Sequence, residues 1–142
     1  MSYQWLNMRI TEERDRRKKE ASTLEKLPEA LQEVRTAIEA CIDAYTSTFG
    51  PETAQLQASG QRLHMIVREE QDGRWEQRSK VDVTLSPALP GFHIERGGEP
   101  LEIVVGLLPG DKLFYRYADE YLTMEELTRR IMDKALFPKL GE

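Results

Sequence analysis

The chain contains one cysteine, Cys41, so no disulfide can form within it and packing must hold the fold together. Histidine is almost as scarce, with only His64 and His93. A zinc site takes three or four ligands at readable spacing, and neither a His-Glu-x-x-His run nor a paired-cysteine pattern occurs. No metal and no cofactor is therefore expected. Long apolar runs are missing too. The longest, Ile103 to Leu108, falls far short of the roughly 20 residues that cross a bilayer. Met1 to Trp5 show no charged leader ahead of an apolar stretch, so no signal peptide is expected, and the cytoplasm is the expected compartment. Charge of one sign is not concentrated anywhere: the net charge of −5 is spread over both halves, which disfavours a general affinity for nucleic acid or anionic membranes. Gly-x-Ser-x-Gly elbows and readable cysteine–histidine pairs are absent, and Cys41 reads as a small core residue. No catalytic residue is identified.

What is present is an ordinary globular composition, 39% apolar and 32% charged over 142 residues, enough for one domain with a sizeable core. The clearest feature is the stretch 24–49. Leu24, Leu27, Leu31, Val34, Ile38, Cys41, Tyr45 and Thr48 follow at steps of three and four, which stacks them on one side of an α-helix. Residues 1–10 hold Tyr3, Trp5, Leu6, Met8 and Ile10, an apolar arm expected to dock on the domain or on a neighbouring subunit. Thr11 followed by Glu12 and Glu13 reads as a helix start, making 11–49 the helical segment. Pro28 leaves two outcomes open, a kinked helix or a break with a new helix starting there. The unbroken apolar phase from Leu24 to Leu31 favours the kink or a very short break.

Residues 50–61 read as a connecting loop. From residue 62 the period changes from 3.6 to 2. Leu63, Met65 and Val67 alternate with their neighbours, Asp72-Gly73 signals a hairpin turn, and Trp75 to Leu85 alternate again. Strands follow at 92–96, 101–107 and 112–117, separated by turns at Gly97-Gly98 and Pro109 to Asp111. The expected fold is therefore α+β and a single domain over 1–142. A five-stranded antiparallel meander over 62–117 is covered on one face by the long helical segment and by a helix over 123–136. Thr123 and Glu126 supply a capping box for that last helix, with Leu122 placed to staple onto Leu127.

Three functional classes compete. The first is a non-enzymatic protein–protein interaction or self-associating module, a homodimer in its simplest form. The apolar arm and the long helix offer more apolar surface than one sheet needs, and the expected partner is a second copy or another protein. Trp5, Arg14, Arg17 and Lys18 are its candidate contacts. The second is an enzyme or small-ligand binder with a site between sheet and helices. His93, Glu95 and Arg96 are its candidates, since a His and a Glu two apart share a face of a strand. The third and weakest is nucleic-acid binding through Arg14 to Lys19, where Glu12, Glu13, Asp15 and Glu20 surround the cations.

Overall fold

The computed structural model describes residues 3–138, so residues 1 and 2 of the expected arm lie outside the described residues. The chain is α+β. Helix α1 spans Gln4–Phe49, strands β1 to β7 follow, and helix α2 spans Met124–Leu136. The strands are β1 Ala54–Ser59, β2 Arg62–Gln71, β3 Arg74–Ser86, β4 Gly91–Arg96, β5 Glu99–Leu108, β6 Lys112–Tyr117 and β7 Glu120–Leu122. All pair antiparallel with their neighbours in chain order, so the sheet is a pure meander. Such a sheet needs only short links, and the links have the backbone that tight turns demand. Asp72 and Gly73 both adopt positive φ, as do Gly97 and Gly98, and as do Gly110 and Asp111. Among the described residues no helix is long and apolar enough to cross a membrane.

The sheet has seven strands, not the expected five. β1 lies inside the segment expected to be a loop. Its sequence, Ala-Gln-Leu-Gln-Ala-Ser, buries only Ala54 fully and Leu56 in part, because an edge strand needs little apolar content. β7 has three residues, too few for a period to show.

Register places the apolar residues of successive strands side by side. Leu63 faces Val83, Val83 faces Ile94, and Ile94 faces Leu101; Leu85, Phe92 and Ile103 form a parallel row. Both helices cover this face. Leu27, Ala30, Leu31, Val34, Ile38 and Ile42 of α1 are buried, as are Leu127, Ile131, Met132 and Ala135 of α2. The opposite face carries His64, Lys80, Asp82, His93, Glu95 and Glu102. Two glycines fit this packing closely. A Cβ on Gly106 would run into the ring of Phe114 across the β5–β6 pair, and one on Gly91 would meet the carbonyl of Ile103.

Several local expectations are corrected. α1 begins at Gln4, not near Thr11, whose hydroxyl donates to the carbonyl of Asn7 one turn back and so is satisfied within the helix. Residues 4–10 of the expected arm are thus the first part of α1, and the rest of the described chain leaves them exposed. Pro28 does not break α1, which is helical on both sides of it. Pro28 is exposed, so water can take the Leu24 carbonyl that lacks its donor. Leu24 is 39% exposed, and Thr23 holds the buried position instead. The hydroxyl of Thr23 donates to the Lys19 carbonyl, which makes that burial tolerable. In β3 the buried face starts at Val81; Trp75 is left 39% exposed and lies under the Arg68 guanidinium. The capping box at Thr123 and Glu126 is formed as expected.

Candidate interaction surface

A helix of 46 residues is about 69 Å long, longer than the sheet it covers. The excess is residues 4–22. All of them are exposed except Glu13 and Ser22, which are partly so, and burial begins at Thr23. Trp5 is 66% exposed, Met8 58% and Ile10 47%, an apolar tip at the end of a projecting arm. The middle of the arm is held helical by its own charges. Glu13 accepts from Arg16 at 2.7 Å and from Arg17 at 3.0 Å, and Arg16 reaches on to Glu20 at 2.8 Å. The hydrogen bonds from Arg16, then Arg17, hold the Glu13 carboxyl down to about 2. Among the described residues Arg14, Lys18 and Lys19 enter no ion pair, so the arm keeps some unneutralised positive charge.

The open face of the sheet carries the histidines. His64 Nδ1 lies 2.6 Å from Asp82 Oδ1, which also accepts from Arg62 at 2.7 Å. Partial burial pulls the Asp82 carboxyl upward, but the bonds from His64 and Arg62 outweigh it and leave the group below its ordinary value. His93 Nε2 sits 3.0 Å from Glu95 Oε1, and its Nδ1 is 3.7 Å from Glu102. Strand alternation sends Arg96 to the other face, where its guanidinium donates to the carbonyl of Arg130 in α2. The structure thus brings His93 and Glu95 together and parts Arg96 from them. Among the described residues no three His, Cys, Asp or Glu side chains gather as a metal would require.

Two apolar hollows involve the helices. A cleft of about 480 Å³ at the end of α1 is walled by Tyr45, Phe49, Trp75 and Phe137, with Arg68 and Arg78 at its edge. Both cations are engaged, Arg78 with Glu69 at 2.9 Å and Arg68 with the Glu52 carbonyl. A groove of about 470 Å³ runs between α1 and α2, floored by Ala37, Ala40, Cys41, Met124, Met132 and Leu136. Burial raises the Cys41 thiol above its usual range, the reverse of what a reactive cysteine needs.

No known family, curated protein or solved structure matches this chain. Its chemistry has to be judged from its own side chains. Sequence reasoning named Trp5, Arg14, Arg17 and Lys18 as candidates, and all four lie on the arm. It missed the groove, whose floor comes from two segments about 90 residues apart. The sequence signal that pointed to it was the run of small residues at 37, 40, 41 and 44 on an otherwise bulky helix. Nor did it join Asp82 to His64, because cross-strand neighbours follow from register.

Proposed function

We propose that the protein is a non-enzymatic interaction module that associates with itself through the projecting half of α1. The observation that carries this reading is the exposure of Trp5, Leu6, Met8 and Ile10 together at one end of a helix that its own domain leaves uncovered. Single exposed apolar residues are ordinary, but a cluster on a projecting element marks a contact. Burying four such side chains contributes roughly 6–12 kcal/mol at about 1.5–3 kcal/mol each. Association costs about 4–15 kcal/mol in lost freedom. A dimer in which both copies bury their tips doubles that gain and leaves a surplus of about 8 kcal/mol at the middle of both ranges, so reversible association in the micromolar range is expected. Light scattering after size exclusion across a micromolar concentration series tests it. The wild-type mass should rise with concentration, and a combined Trp5→Ser, Met8→Ser and Ile10→Ser variant should stay monomeric. A wild-type chain that remains monomeric throughout would sink the reading.

A second reading rests on the aromatic cleft, whose size suits a small apolar ligand. Trp75 in its wall is the reporter. With Trp5 replaced by Phe, its fluorescence should respond to long-chain carboxylates or flat aromatic compounds, and an unmoved spectrum argues against this use.

A further inference from the structure

The arm ends in an apolar tip, and the same helix carries, about 50 Å away, one wall of an apolar groove. Trp5 and Ala40 are 35 residues apart on one continuous α1, so a chain cannot bring its own tip to its own groove. Resting on the self-association reading above, we propose that the tip of α1 from one copy docks in the groove between α1 and α2 of a second copy.

Shape and charge both support this pairing. The tip is built of large side chains, and Trp5 and Met8 stand three residues apart on one side of the helix. The groove offers the complementary relief, because the short side chains of Ala37 and Ala40 leave a trough over the buried Met132 and Leu136. Residues 3–22 hold six basic and four acidic groups, whereas the remainder holds 14 basic and 21 acidic. The arm is therefore positive and the body negative. Around the groove Glu125 and Asp133 stand against one Arg129. A basic helix with an apolar end meets an apolar trough with a net acidic border. Copies of the arm lying side by side in parallel would instead set Glu13 against Glu13 and Arg17 against Arg17. Reciprocal docking about a two-fold axis seats both tips with two copies.

The test uses full-length chains. Ala40→Arg fills the trough from an exposed helical position where arginine is a good helix former. Trp5→Ser with Met8→Ser blunts the tip. Each variant should keep the wild-type circular dichroism and melting profile and lose self-association by roughly tenfold or more, the equivalent of one well-buried side chain. The deciding experiment mixes the two. The blunted chain still has a groove and the blocked chain still has a tip, so a one-to-one complex should form that neither makes alone. If Ala40→Arg associates as the wild type does, the groove is not the dock, though the arm can still be the contact. If both variants lose association and the mixture stays monomeric, the tip and groove are not partners. If the wild type is itself monomeric, the inference and the reading beneath it fall together.

Discussion

At the scale of single residues, the most informative contact joins the long helix to a strand late in the chain. The hydroxyl of Tyr115, a buried residue of β6, donates to Glu33 of α1 at 2.5 Å. Burial, then the neighbouring Glu33 carboxylate, pushes its ionisation well above the usual value of 10.0. An unfolded chain loses this proton near pH 10 while the folded chain keeps it. The contact therefore contributes fully below that pH and is lost as pH rises beyond it. Tyr115→Phe should cost about 1 kcal/mol at neutral pH, the net worth of one hydrogen bond. It should also flatten the fall in stability above pH 10, as urea melts at neutral and alkaline pH would show. An unchanged alkaline slope would mean that another group sets it. Nothing in the sequence joined Tyr115 to Glu33. Tyr115 falls in the strand expected over 112–117 and Glu33 in the helical segment expected over 11–49, and only the crossing of those elements made them partners.

At the scale of elements, the two helices are stabilised by different means. α2 is short, and its start is fixed locally, with Thr123 accepting from the Glu126 amide at 3.1 Å and the Glu126 side chain answering the Thr123 amide. Thr123→Ala should therefore lower stability by about 1 kcal/mol, and Thr123→Ser should restore most of it. Chemical denaturation of the three proteins decides this. α1 has neither a capping side chain nor acids in its first turn, and it contains Pro28. Its continuity comes from the packing of residues 27–42 and from the ion pairs of the arm. Even with water at the Leu24 carbonyl, the lost intrahelical bond and the ring set against the preceding turn remain a cost, so Pro28→Ala should stabilise the protein by up to about 3 kcal/mol. A loss of stability would show that the proline geometry is itself required for α1 to lie across the sheet. Strong local signals made α2 and strands β2 to β6 readable in advance. β1 and β7 were not readable, because an edge strand and a three-residue strand are defined by what they pair with.

At the scale of the whole molecule, the structure divides into a packed body and a bare helix. Amide exchange should separate them, with residues 27–42 protected to nearly the global stability and residues 4–22 exchanging by local fraying. An isolated helix of that length is marginal in water, so the arm relies on continuity with the body and on its ion pairs. If the arm is the contact, its protection should rise with protein concentration while that of the body stays fixed. Protection of residues 4–22 at high dilution would mean that the arm is held by something within one chain.

The sequence by itself determined the elements whose periods are strong and local: the amphipathic stretch of α1 from Leu27, the alternating strands from Leu63 onward, the turns that glycine and aspartate permit, and the cap of α2. These rest on side-chain spacing and backbone freedom within a few residues, which a chain carries with it wherever it folds. Tertiary structure alone decided where α1 runs out of sheet to cover, that its apolar arm is left in water, that Asp82 falls beside His64, and that alanines of one helix meet methionines of the other to form a groove. Those outcomes depend on which surfaces are already occupied when the layers close, and that is a property of the assembled chain and not of any segment in it.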